Sequence, residues 1–187
     1  MFLLHTPSAQ RIDQFLIAMR AQPLTYPEQG ATCRTLPAGY RHDHSRTRLG
    51  IGKSTFDRAV EALRHWRMFN LGWARVVPGE ASIVDGTTVA VVAHHFGFWS
   101  LNACRIVYVF AEPRRFGFAY GTLPAHVERG EERFMVEWCS DDSVWYDILA
   151  FSRPNHWLVR LGYPITRRLQ KRFARDSMRV MQAAVNI

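Results

Sequence analysis

Residues 103–151 read ACRIVYVFAEPRRFGFAYGTLPAHVERGEERFMVEWCSDDSVWYDILAF. Four segments within them, 103–111, 114–122, 131–139 and 143–151, are rich in valine, isoleucine and aromatic residues, the side chains that suit a pleated, half-buried surface. Turn chemistry separates them: Glu112-Pro113 after the first, a passage from Leu123-Pro124 to Gly130 between the middle two, and Ser140-Asp141-Asp142 before the last. Links this short join antiparallel neighbours, because a parallel pair needs a crossover of a dozen or more residues. The same signature continues upstream in TTVAVVAHH (87–95) and LGWARVV (71–77), and a further strand fits near 38–48. The stretch predicts one antiparallel sheet of about six or seven strands.

Helices bracket this sheet. Thr6-Pro7 suits a helix start, since threonine can cap and proline fits the first helical position. Ile12, Phe15, Leu16 and Met19 then form one apolar stripe, which Pro23 and Pro27 end. A second helix is predicted with Ser54 as its cap, Asp57 in its first turn, and Phe56, Ala59, Val60, Leu63 and Trp66 facing inward. Beyond Pro154 a long helix is predicted from about Arg160. Leu161, Ile165, Leu169 and Phe173 recur there every fourth residue, Val180 and Ala184 continue the face, and Pro164 either kinks the helix or marks its start. A sheet curled around a terminal helix buries both. The expected class is α+β, a curved antiparallel sheet gripping a long C-terminal helix, in a single domain spanning 1–187.

Composition narrows the function classes. The chain has 187 residues, 48% hydrophobic and 21% charged, the balance of an ordinary globular protein. That length buries about 70% of the surface of the unfolded chain. No run approaches the roughly 18 uninterrupted apolar residues of a membrane span. The start, MFLLHTPSAQR, lacks the basic region of a signal peptide, so a cytoplasmic location is expected. Cys33, Cys104 and Cys139 are odd in number and far apart, which suggests neither a disulfide framework nor a cysteine zinc site. The net charge of +8 raises nucleic acid as a partner, yet residues 153–187 hold eight basic residues against one acid and leave the rest nearly neutral. Such a segment can meet phosphates or anionic lipid; more often it is the solvated side of an amphipathic helix. The aromatics fall in strands rather than among the arginines. Nucleic acid is therefore disfavoured, and an anionic membrane surface reached through the C-terminal basic helix stays open.

Several local motifs carry less than they suggest. GIGKST (50–55) ends like a phosphate-binding P-loop, but that loop needs a glycine where Thr47 stands and a buried strand where RHDHSRTR stands. A glycine turn into a helix accounts for it. His42 and His44 would share one side of a strand, and His94-His95 adjoin, but no acid or cysteine is spaced to complete a metal set. No metal and no cofactor is implied. Cys104, inside an apolar strand, reads as a buried thiol.

Strand parity organises the candidate site. A two-residue Asp141-Asp142 turn would pair Trp138 with Trp145 and Val136 with Asp147, so that Phe134, Val136, Trp138, Trp145, Asp147, Leu149 and Phe151 share a face. A Pro113-Arg114 turn would put Arg105, Val107, Val109, Phe118 and Tyr120 on one face of the neighbouring hairpin. Asp147 and Arg105 are then the lone charges of two apolar sets, and a buried charge must be paired, hydrogen-bonded or neutralised. The register of the 123–130 turn decides whether the two sets share a face; if they do, Arg105 and Asp147 either pair with each other or jointly anchor the polar end of a ligand. Arg105, Phe118, Tyr120, Trp138, Trp145 and Asp147 are the candidate ligand-binding residues. Gly117, Ala119 and Gly121 leave room on one face for bulky neighbours or for a ligand. His126, Glu128, Glu131 and Glu132 are candidate acid–base groups for a hydrolase or cyclase type of enzyme, against the plainer reading of exposed charges at the rim of a hairpin. Both faces of these strands are fairly apolar, so a second layer, the N-terminal helix or a partner subunit in a homodimer, is expected over the face the C-terminal helix leaves open.

LGIGKSTFDRAVEALRHWRMFNLGW, NACRIVYVF, RRFGFAYGTLPAHVERGEERFMVEW and SVWYDILAFSRP resemble an uncharacterised family of bacteria and plants, the domain of unknown function nineteen-ninety. The resemblance covers roughly residues 25–180 and leaves the N-terminal helix, residues 1–24, outside the 25–187 helix-grip region. The order of elements is similar to the START-like (SRPBCC), pollen-allergen-like helix-grip superfamily. That likeness implies a hydrophobic ligand, such as a lipid, sterol or polyketide, held between the sheet and the C-terminal helix. A few such proteins are enzymes. The expected partner is thus a small hydrophobic molecule.

Overall fold

Successive strands follow one another around a single antiparallel meander, and an earlier strand returns to pair with the last of them. This computed structural model describes residues 1–155 and 163–186. Its elements are β1 (Phe2–Leu3), α1 (Ala9–Arg20), β2 (Arg41–Ile51), α2 (Gly52–Arg64), β3 (Ala74–Val77), β4 (Thr88–His95), β5 (Phe98–Glu112), β6 (Arg115–Thr122), β7 (Glu128–Trp138), β8 (Ser143–Pro154) and α3 (Tyr163–Val185). The sheet runs β2-β8-β7-β6-β5-β4-β3, with β1 added beside β5, which makes eight strands where six or seven were expected. Helices α2 and α3 lie in its concave face and touch each other. The fold is the expected α+β helix grip. The expected start of the long helix, residues 160–162, lies outside the described residues, and Pro164 sits in the first turn of α3, where its missing N–H costs nothing.

Two helix starts differ from expectation. Ser8, not Thr6, caps α1, its Oγ accepting from the Arg11 N–H at 3.2 Å. Ser54 lies inside α2 and accepts from Arg58 instead. That helix begins at Gly52, whose N–H donates to the Asp142 carbonyl at 2.9 Å, so the β7–β8 turn satisfies the helix end that a side chain was expected to cap.

Register decides which side chains look inward. The β7–β8 link is a three-residue loop, Ser140-Asp141-Asp142, with Asp142 in the left-handed region at φ 67° and Asp141 accepting from the Ser143 N–H. Trp138 therefore pairs with Val144, and Met135 with Asp147. A bulge at Val107 likewise pairs Ile106, not Val107, with Tyr120. A slip of one residue turns every later side chain to the other face. Both expected face sets are thereby corrected: Trp145, Asp147, Leu149 and Phe151 point away from Phe134, Val136 and Trp138, and Arg105 points away from Phe118 and Tyr120.

The convex face is covered by the chain's own N-terminal third. Helix α1 lays Ile12 and Leu16 on Ala90, Val92 and Leu101. Residues 24–36 pack Tyr26 and Ala31 on Phe151. A Cβ at Gly121 would stand 2.2 Å from the Tyr26 hydroxyl, so the small side of β6 makes room for this segment. Glu131 is the bolt of that contact. Only 2% exposed, it accepts from the Gly30 N–H at 2.7 Å, the Thr32 N–H at 3.0 Å, the Tyr26 hydroxyl at 2.8 Å and the Thr32 hydroxyl.

Candidate functional site

The concave face changes character along its strands. Reading β7 inward from its C-terminal end, the inner side chains are Trp138, Val136 and Phe134, then Glu132, Gly130 and Glu128. On β6 they are Phe116 and Phe118, then Tyr120 and Thr122; on β8 they are Val144, Tyr146 and Ile148, then Ala150 and Ser152. Because the strands are in register, these changes fall in rows. The row Val109–Phe118–Phe134–Ile148 is bulky and apolar, the next is Ile106–Tyr120–Glu132–Ala150–Asp43, and the one after holds Thr122, Gly130 and Ser152. The first rows pack against Trp66, Phe69, Met181 and Val185 into a filled core. Beyond them small and polar side chains leave a cavity of about 300 Å³ under the N-terminal half of α3, where Leu169, Gln170, Phe173 and Ala174 form its roof. Most of its wall is apolar, with Val91, Ala93, Trp73 and Phe2 at the β3–β5 side.

Polar side chains interrupt this wall, among them Glu132, Glu128, His126, Asn102 and, on α3, Arg167 and Lys171. Glu132 accepts from the Tyr120 hydroxyl at 2.7 Å. Burial pushes its carboxyl up to about 7, repulsion from Glu128 and Asp43 adds to this, and the tyrosine bond opposes it. Glu128 accepts from Gln170 of α3, and its carboxyl too is raised by burial. His126 takes the Glu128 backbone N–H on Nδ1 at 3.0 Å. Burial lowers its imidazole to about 4, so it is neutral at physiological pH. Asn102, 7% exposed, donates its amide to Ser100 and to the Val91 carbonyl, while its Oδ1 has no partner among the described residues. His95 Nδ1 on the same wall is likewise unpartnered. Arg167, a cation beside the cavity, makes a bidentate pair with Asp43 at 2.5 and 2.6 Å. Among the described residues no group of three or more His, Cys, Asp or Glu side chains is placed to hold a metal ion.

Residues 25–180 match the family described as domain of unknown function, DUF1990, and a UPF0548 protein of Deinococcus radiodurans is 38% identical over 98% of both chains. The chain belongs to the DUF1990 family. Its fold is similar to that of the hypothetical protein jhp0584 from Helicobacter pylori, with a TM-score of 0.56 at 13% identity over 86% of this chain and 95% of that one. It is also similar to truncated norcoclaurine synthase from Thalictrum flavum, with a TM-score of 0.50 at 10% identity over 81% of this chain and 97% of that one. At such identities the likeness concerns the fold alone.

In this DUF1990 protein the expected site residues part company. Tyr120, His126 and Glu132 line the cavity. Phe118 and Trp138 face inward but in the filled half, Phe118 against Trp66 and Phe134, and Trp138 beside Phe56 with its indole N–H on Asp142. Arg105, Trp145, Asp147 and the Glu131 side chain face the convex side. Arg105 donates to the Met19 and Arg20 carbonyls at the C-terminus of α1. Asp147, 1% exposed, pairs with Arg133 at 2.8 Å and with His44, not with Arg105. Trp145 lies under Arg46. Glu128, expected with His126, Glu131 and Glu132 as an acid–base group, also lines the cavity, whereas sequence reasoning missed Asn102 and the run of small residues at Ala93, Gly130 and Ala150. One signal was available: strand parity alone carries the inward face of Phe134 on to Glu132.

Proposed function

We propose that the protein binds a small, largely apolar molecule in the cavity between the concave sheet and α3. The observation that supports this reading best is the contrast along the strands: one half of the concave face is packed, and the other stays open with a largely apolar wall and buried polar atoms that lack partners among the described residues. A volume of about 300 Å³ is at the lower end of small-molecule sites. Apolar surface buried on binding contributes roughly 25 cal/mol per Å² before the cost of association. Asn102, Tyr120 and Glu132 would orient the polar end. Among the described residues no helix is long and apolar enough to cross a membrane. Three unbonded cysteines accord with a reducing, cytoplasmic setting for this ligand. The test is native mass spectrometry of the purified protein for a retained small molecule, with titration by the apolar fluorophore N-phenyl-1-naphthylamine. Wild type should take up the probe, and Ala150→Phe, which fills the cavity, should not. A wild type that carries nothing and ignores the probe would overturn the reading.

A second reading, acid–base catalysis, is favoured by one observation: a carboxyl held near 7 and a neutral imidazole line the same cavity. It predicts turnover of some carbonyl or ester substrate that Glu132→Gln abolishes while probe binding persists. A broad substrate screen that finds no turnover would leave the binding reading alone.

A further inference from the structure

We propose that the ligand of this cavity is a small cationic amine, an apolar body carrying a protonated nitrogen that seats against Glu132. This rests on the binding reading above and deepens it. The inference comes from what the wall offers. Glu132 and Glu128 are both carboxylates on the cavity wall, and among the described residues neither has an arginine, lysine or histidine within 4.0 Å. Every other carboxylate of the sheet interior is matched. Asp147 has Arg133 and His44, Asp43 has Arg167, and Glu131 has four donors. Glu132 has one donor, the Tyr120 hydroxyl on Oε2, and its Oε1 has none among the described residues.

Asn102 is an independent pointer. Its Oδ1 is an acceptor buried on the same wall without a donor. The amide nitrogen is turned toward the Val91 carbonyl, which can only accept, at 3.4 Å. A buried acceptor left unmet is destabilising, and an unpaired buried carboxylate more so. The unmet capacity at the wall of Glu132 and Asn102 is thus for hydrogen-bond donors and positive charge, the cations of the lining, Arg167 and Lys171, being carried by α3. An anionic head would meet two carboxylates. A neutral hydroxyl would serve Asn102 and leave the charge of Glu132 unanswered. An ammonium group answers both the charge and the missing donors, and the apolar wall takes its body.

The probes are octylamine, octanol and octanoate, which share one apolar body and differ in the head. Binding is followed at pH 8, where Glu132 is ionised, by displacement of N-phenyl-1-naphthylamine. Octylamine is expected to bind at least tenfold tighter than octanol, and octanoate weakest. In Glu132→Gln the amine should fall to within about threefold of octanol, with uptake of N-phenyl-1-naphthylamine reporting that the cavity is intact. Equal binding of amine and alcohol by wild type, or an amine preference that survives in Glu132→Gln, overturns the amine assignment and leaves the apolar-ligand reading standing. Because the wild-type comparison needs no variant, poor folding of Glu132→Gln does not weaken it. Failure of all three compounds and of the fluorophore to bind overturns both proposals together.

Discussion

Two halves of one concave surface, made by the same strands and roofed by the same helix, have been built to opposite ends. Toward the C-terminal half of α3, Phe118, Phe134, Tyr146, Met181 and Val185 meet in a core without space. Toward its N-terminal half, glycine, alanine, serine and threonine occupy the equivalent inward positions, and acids appear among them. The difference lies in side-chain volume and not in backbone, since the register continues unbroken from Phe134 through Glu132 to Glu128. Stability resides in the first half. The second half gives up packing, a concession that the proposed ligand site would explain.

The largest effect should come from opening the filled half. Phe134 is fully buried and its ring stands 5.4–5.5 Å from those of Phe69, Phe118 and Tyr120. Phe134→Ala is expected to cost about 3–5 kcal/mol in urea denaturation. A loss below about 1 kcal/mol would mean that this half is as loosely packed as the other.

Next is a contrast between neighbours. Glu131 and Glu132 adjoin in sequence and face opposite sides of β7. Glu131→Gln places an amide N–H₂ among groups that only donate, Gly30 N–H and Thr32 N–H, and should cost about 2–3 kcal/mol. Glu132→Gln keeps an acceptor for Tyr120 and removes a buried charge, so above pH 7 it should stabilise the fold. Thermal melts at pH 8 that move both variants in the same direction would break the distinction drawn here between a structural and a ligand-facing carboxylate.

How much of this was legible beforehand follows from the same geometry. Hydrophobic composition, period and turn residues act within a few neighbours, so the strands of 87–151 and the amphipathic stripe of 165–184 could be read directly. Inward and outward could not. A left-handed Asp142 added one residue to a hairpin loop and a bulge at Val107 added one to a strand. Each reverses every face beyond it, which is why Asp147 was expected beside Phe134 and Arg105 beside Tyr120, and both lie behind them. The cavity was less legible still. Ala93, Gly130 and Ala150 are unremarkable alone and become a void only when three strands align them.

Acidity offers a subtler probe of the hollow half. Glu132 holds its proton up to about pH 7 in the folded chain, against an ordinary value of 4.5. Between those values the folded chain keeps a proton that the unfolded chain releases, so this contribution is complete below pH 4.5 and is lost as pH rises to 7. His126 runs the other way. Its folded value of about 4 lies below the ordinary 6.5, so its contribution is complete above pH 6.5 and is lost as pH falls to 4. Each is worth at most about 3 kcal/mol, and they largely cancel in wild type. Relative to wild type, Glu132→Gln should gain stability as pH rises from 4.5 to 7, and His126→Gln should gain as pH falls from 6.5 to 4. Parallel curves for wild type and variant would show that the group is not buried as described.

The smallest change is the most direct comparison of the two halves. Val136→Phe and Ala150→Phe each enlarge an inward side chain of the same sheet, the first against the core and the second into the cavity. Overpacking a filled core costs about 1–3 kcal/mol, because neighbours must leave their rotamers. At Ala150 the ring enters existing space, and the apolar surface it buries offsets the side-chain entropy it loses, so the net change should stay within about 1 kcal/mol of zero. The pair is informative because propensity and backbone are matched and only the receiving volume differs. If Ala150→Phe proves as costly as Val136→Phe, then α3 settles onto the sheet in solution and the room for a ligand is not there.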